Sequence, residues 1–253
     1  MNLRLDGKTA LVTGANGGLG AHFALTLAQS GASVALGARN VGSLQPIEQQ
    51  IRSTGARTHA ISLDVSKRES VAQAFDQAAR LLGPVTVVVN NAGVAVTKPL
   101  LEHTEDDWNQ VIDVNLTGAW RVAQEAARHM VEHQQGGSIV NIASILGERV
   151  ATQVPSYAAS KAALIHLTKA MALELARHRI RVNALAPGYV VTNINREFFE
   201  SEPGQALIKR IPQRRIGNPE ELDAALLLLA SDAGSYATGS VFVLDGGHLV
   251  SSL

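Results

Sequence analysis

Seven short apolar runs alternate along this chain with longer stretches patterned as helices, and that alternation restricts the fold more than any other feature. The runs are Thr9–Thr13, Ser33–Gly37, Thr58–Leu63, Val85–Val89, Ser138–Ile142, Arg181–Leu185 and Val241–Leu244. Several are near-continuous Val, Ile and Leu, the composition expected of strands covered on both faces. Strand, helix, strand repeated in this way predicts an α/β fold built on a doubly wound, parallel, seven-stranded sheet. Two helix starts are legible. Ser66 with Glu69 reads as a capping box before Val71–Leu82, and Thr104 with Asp107 as another before Trp108. No repeat, low-complexity tract or linker interrupts the pattern, so residues 1–253 are expected to form a single domain. The one long stretch without strand signals, residues 189–218, contains Phe198, Phe199, Pro203 and Gly204. It is expected to be a substrate loop.

Composition narrows the function classes. A chain of 253 residues, 46% of them hydrophobic, can bury one large core. Its 22 basic and 22 acidic residues balance to a formal charge of +0, which counts against nucleic acid or an anionic membrane as partner. The absence of cysteine removes disulfides and thiolate chemistry. The first residues hold no apolar stretch of secretory length, and no uncharged run is long enough to span a membrane. A cytoplasmic protein acting on a small molecule is expected. The eight histidines show no metal-ligand spacing and are read as solvated or structural, with no metal.

Leu11-Val12-Thr13-Gly14-Ala15-Asn16-Gly17-Gly18-Leu19-Gly20 links the first strand to the first helix. Glycines there permit a tight turn and let backbone N–H groups approach a pyrophosphate at a helix N-terminus. Gly14 is expected to make the turn, Gly18 to admit the phosphate, and Gly20 to let helix and strand pack closely. Placed in a βαβ unit, the turn makes the sheet a Rossmann-type dinucleotide binder.

Thr13-Gly14-x-x-x-Gly18-x-Gly20 resembles the cofactor turn of the short-chain dehydrogenase/reductase family, and further motifs of that family follow in order. They are Asn90-Asn91-Ala92-Gly93, Asn115 within Asp113-Val114-Asn115, Ser144, Tyr157-x-x-x-Lys161 and Pro187-Gly188. The resemblance runs from Gly7 to Gly247. It implies an NAD(P)(H)-dependent oxidoreductase that interconverts a secondary alcohol and a ketone by hydride transfer. Tyr157 would be the acid–base, Ser144 would bind the substrate oxygen, and Asn115 would hold a relay water. Lys161 would hold the nicotinamide ribose. Asn16, Gly17, Leu19, Asp64, Val65, Asn91, Ala92, Gly93, Pro187, Gly188, Val190 and Thr192 would complete the cofactor site. Asn90 and Asn91 can instead satisfy loop backbone groups, and Asp64 can be a strand-end cap.

Elementary chemistry supports the central pair. A ketone needs a proton donor as hydride arrives, and an alcohol needs a base as hydride leaves. Free tyrosine, with a pKa of about 10, is a weak base at neutral pH. Tyr157 and Lys161, at i and i+4, share one helix face. The Lys161 ammonium is therefore expected to lower the Tyr157 pKa.

Cofactor choice turns on Ala38-Arg39 after the second strand. The acid that selects NAD(H) is replaced by Ala38, and Arg39 can pair with a 2′-phosphate. NADP(H) is therefore preferred, with NAD(H) usable, since Gly17 stands where many NADP-using relatives carry a base. Ile145, Leu146, Val154 and Tyr189 are expected to line an apolar substrate pocket. That disfavours sugars, and the absence of Lys and Arg from Met130–Glu148 disfavours a carrier-linked 3-oxoacyl thioester. A silent nucleotide-sensing protein on the same fold is the rival from outside the enzyme class. Ala158–Arg177 is apolar nearly all round and is expected to be covered on more than one side. By resemblance this implies a homotetramer.

Overall fold

In the computed structural model, which describes residues 2–192 and 195–251, seven parallel strands form one sheet. They are β1 (Thr9–Thr13), β2 (Ser33–Ala38), β3 (Thr58–Ser62), β4 (Val85–Asn90), β5 (Gly137–Ile142), β6 (Ile180–Pro187) and β7 (Val241–Leu244), in the order β3-β2-β1-β4-β5-β6-β7. The order reverses between β1 and β4. The helices are α1 (Gly18–Gln29), α2 (Gln45–Ser53), α3 (Arg68–Leu82), α4 (Glu105–Ile112), α5 (Ala119–Glu132), α6 (Pro155–Leu175), α7 (Arg196–Glu200), α8 (Glu202–Ile208) and α9 (Asp223–Ala230). Helices cover both faces, so the strands divide their side chains between two cores. Val12, Val140 and Leu226 belong to one; Leu11, Ile139 and Val122 belong to the other. This is the Rossmann-type, single-domain α/β sheet expected, with each strand within a few residues of its predicted run.

Local detail departs from the sequence reading in two places. Thr104 and Asp107 do form a reciprocal capping box at α4, but Ser66 does not cap α3. The Ser66 hydroxyl and N–H both donate to Asp64 Oδ1, at 2.7 and 3.0 Å, and α3 starts at Arg68 without a side-chain cap. The nearer carboxylate wins the serine. Second, the 189–218 stretch is not a structureless loop. It carries α7 and α8, and its neck is pinned by Val191 N–H to Gly217 O and Gly217 N–H to Tyr189 O, both 2.9 Å. Asn193 and Ile194 lie outside the described residues. Within a single chain α6 presents one buried and one exposed face. Leu164, Ile165, Thr168 and Ala172 are buried, while Ala162, His166, Ala170 and Leu173 are exposed.

Candidate active site

The crossover between β1 and β4 opens a crevice beyond the strand C-termini, the place where open α/β sheets bind ligands. Gly14 and Gly18 adopt φ of +65° and +51°, a region that favours glycine. A Cβ at Gly20 would fall 2.1 Å from the Gly14 carbonyl oxygen, so only glycine lets α1 rise this close to the turn. Asn91 braces that turn. Its Nδ2 donates to the carbonyls of Thr13 and Gly14 at 3.0 and 3.2 Å, and the Thr13 hydroxyl accepts from Asn91 and Ala92 N–H. Asn90 faces away and ties β4 to Ala119 and Asn141, a structural role.

Two cavities adjoin along the crevice and share Gly93 and Val94. The first, roughly 240 Å³, is lined by Gly14, Asn16, Arg39, Asp64, Val65 and Ala92 together with Ala38 and Val114. Burial works to raise the Asp64 carboxyl, but the Ser66 donors, Lys67 and Arg39 together hold it below its ordinary value. Asp64 is thus both a loop cap and part of this cavity. The second, roughly 290 Å³, brings together Leu19, Asn91, Ser144, Tyr157, Lys161, Pro187 and Gly188. Thr192 lies over the glycine turn, with its Cγ2 3.8 Å from where a Gly18 Cβ would be. Val190 is buried and pairs with Gly217 at the neck of the substrate segment, while Gly17, extended, precedes α1. A larger cavity, roughly 790 Å³, opens at the opposite end of the strands.

Ser144 follows β5, and its hydroxyl accepts from Leu146 N–H at 3.1 Å. Gly147 sets this loop against α6, since a Cβ there would lie 2.8 Å from the Lys161 carbonyl carbon. Pro155 starts α6, which puts Tyr157 and Lys161 on the face toward Ser144. Lys161 is 4% exposed; its Nζ donates to the Ile142 carbonyl at 2.6 Å and lies 5.5 Å from the Tyr157 ring centroid. Asn115 sits in a π-helical turn, Asp113–Gly118, a distortion frequent at functional sites. Its amide clamps the Val94 backbone from both ends, each at 2.8 Å, and donates to Ser160 Oγ at 3.2 Å.

The electrostatics differ from expectation. Burial pushes the Tyr157 phenol above its ordinary value; the Ser144 hydrogen bond opposes this and Tyr189 adds to it. Burial pushes Lys161 down to about 8. Lys161 is not among the groups that shift Tyr157: its ammonium donates to a backbone carbonyl, and burial is the largest cause at both residues.

A family model described as enoyl-(acyl carrier protein) reductase matches residues 14–248. A 2-dehydro-3-deoxy-D-gluconate 5-dehydrogenase of Escherichia coli is 38% identical over 248 residues, 97% of this chain and 96% of that protein. A 3beta-hydroxysteroid dehydrogenase of Eggerthella lenta is 40% identical over 246 residues, 96% of this chain and 94% of that protein. The solved structure of a gluconate 5-dehydrogenase from Burkholderia cenocepacia, in complex with NADP and tartrate, superposes with a TM-score of 0.94. It shares 36% identity and covers 99% of this chain and 98% of that one. The chain belongs to the short-chain dehydrogenase/reductase family. It is an NAD(P)-dependent oxidoreductase acting on alcohols and ketones.

Within that family frame, the substrate side is where the sequence reading is weakest. Ile145 is 2% exposed and packs into the core. The cavity lining around Tyr157 includes neither it nor Leu146, Val154 or Tyr189. Tyr189 acts on Tyr157 and packs against Phe199 and His248, at centroid separations of 5.8 and 5.6 Å. Residues not singled out from sequence include Gly147, Ser160, Arg149 and His248. Ser160, one helical turn after Tyr157, had a positional signal. Arg149 and His248 are 99 residues apart and had none.

Proposed function

We propose that Tyr157 exchanges the proton, Ser144 orients the substrate oxygen, and Lys161 and Asn115 complete the catalytic set, with NADP(H) as the preferred cofactor. The observation that carries this reading is the single cavity holding Ser144, Tyr157 and Lys161 beside Gly93 and Pro187-Gly188. The paired cavities suit a dinucleotide: Gly14, Gly18 and Gly20 leave room for a pyrophosphate at the α1 N-terminus. Arg39, Asp64 and Val65 surround the adenosine end, and Asn91, Ala92, Gly93, Lys161, Val190 and Thr192 the nicotinamide end. Bound there, the nicotinamide supplies or accepts the hydride. In reduction the Tyr157 hydroxyl gives its proton to the ketone oxygen as that oxygen becomes an alcohol. In oxidation the phenolate takes the proton back, and Ser144 donates to the same oxygen in both directions. Lys161, buried and cationic, faces the developing phenolate charge and offers its remaining donors to the ribose. Asn115, held by Val94 and Ser160, would position a relay water.

Arg39 beside Ala38 supports NADP(H), as does the NADP in the solved gluconate 5-dehydrogenase. The names of two relatives favour a sugar acid over a thioester or a simple apolar ketone. The exposed α6 face, with Leu173 83% exposed, and the apolar groove between α5 and α6 support a homotetramer. Among the described residues no helix is long and apolar enough to cross a membrane, and a cytoplasmic site of action fits that. Removing the Tyr157 oxygen tests the reading: turnover should fall while cofactor binding persists.

A further inference from the structure

His248 is 5% exposed, yet its Nδ1 has no hydrogen-bond partner among the described residues. A buried polar nitrogen left unpaired has lost its hydration without compensation, so it calls for a partner. The imidazole lies against the Tyr189 ring, with centroids 5.6 Å apart. Arg149, on the loop that follows Ser144, donates through Nη1 to the His248 carbonyl and to Ser251 Oγ. Among the described residues its Nη2 and Nε have no partner and it makes no ion pair. The nearby carboxylate, Asp245, is occupied by the N–H groups of Gly247 and Leu249. Burial first, then the charges of Arg149 and Arg210, hold the His248 pKa below its ordinary value, and the Asp245 carboxylate opposes them. Tyr189 links this cluster to the reacting hydroxyl: it follows Gly188, which lines the same cavity as Tyr157, and its ring lies against His248.

We propose that Arg149 and His248 form a carboxylate subsite, and that the substrate is a keto or hydroxy acid whose carboxylate lies several carbons from the reacting centre. This rests on the reading of Tyr157 as the proton-transfer residue, and it adds the residues that recognise the far end of the substrate. The guanidinium supplies charge and two parallel donors, which suit a carboxylate. The imidazole N–H supplies a third donor from an already desolvated position. The wall is built by the C-terminal turn, which Arg149 ties to the catalytic loop.

The test uses the full-length protein with NADPH and three keto acids, 4-oxopentanoate, 5-oxohexanoate and 6-oxoheptanoate, each beside its methyl ester. For at least one chain length, kcat/KM for the acid should exceed that for the ester by tenfold or more. Arg149→Met should lower that ratio at least tenfold, chiefly through KM, and Arg149→Lys, which keeps the charge but loses the paired donors, should lower it less. Calorimetric titration of the acids into the NADP⁺ complex should follow the same order. A ratio near one in the parent protein at every length, or a ratio unchanged by Arg149→Met, overturns the subsite. Acid binding that persists without any turnover would instead overturn the reading of Tyr157 and leave the subsite standing. If Arg149→Met does not fold, the parent ratio and Arg149→Lys still decide.

Discussion

Lys161 holds its ammonium 2.6 Å from the Ile142 carbonyl and 5.5 Å from the centre of the Tyr157 ring. The geometry fixes the cation beside the phenol without a direct hydrogen bond between them. Burial lowers Lys161 to about 8, so its charge is present at neutral pH and is lost as pH rises through that value. Burial also raises Tyr157, so the phenol keeps its proton over the same range. Ketone reduction should therefore stay level across neutral pH and decline above about pH 8. A kcat/KM profile still level at pH 10 would contradict this account of Lys161.

Arg39 lines the cavity beside the glycine turn together with Ala38, and no acid stands at that strand end. The protein should show a clear NADPH preference, at least tenfold in kcat/KM. Ala38→Asp with Arg39→Ala should shift that preference toward NADH, because the carboxylate accepts from the ribose hydroxyls and repels the phosphate. Both cofactors measured on one ketone decide it. A parent enzyme that prefers NADH means that Arg39 does not read the phosphate.

The strand and helix order was legible because burial on both faces leaves near-continuous apolar runs, and β1, β4 and β5 are of that kind. Tyr157 and Lys161 were singled out by the ordered family motifs around them, and one helical turn keeps the two on a common face. Three things were not. The π-helical turn around Asn115 has no sequence signature, and the Ser66 donors went to Asp64 rather than to the α3 N-terminus. The contact of Arg149 with the C-terminal turn joins residues 99 positions apart, which no local pattern reports.

On α6, Leu173 and Ala170 are exposed next to the groove lined by Trp120, Val131 and Met171. An apolar helix face of this kind is stabilised when a second copy covers it. Light scattering at micromolar concentration should give four times the 26.7 kDa chain mass. Leu173→Glu should give a smaller species by placing charge in that face. A monomeric parent protein would remove the assembly.

His129 is buried, and its Nε2 accepts from Val85 N–H at 3.1 Å, so the ring must be neutral. Its pKa is held below the usual value by burial first and by His133 second, while Glu132 and Asp76 oppose the shift. The unfolded chain takes up this proton before the folded one does. The stabilisation is thus complete above about pH 6.5, the ordinary histidine value, and is lost as pH falls toward the lowered one. His129→Gln keeps an acceptor for Val85 and removes the titration. Melting temperature should fall less for this variant than for the parent between pH 7 and pH 5.5. Equal falls would mean that His129 does not carry the acid sensitivity.

The central claim, that Tyr157 moves the proton, is tested most directly by Tyr157→Phe, which deletes one oxygen and keeps the ring that packs beside Lys161. The measurement is the rate of NADPH oxidation by a good ketone substrate, with the NADPH dissociation constant determined on the same samples. The account predicts a fall in kcat of about 10²–10⁴-fold, the usual contribution of general acid–base catalysis, with the dissociation constant unchanged within threefold. Turnover within a few-fold of the parent enzyme would contradict it.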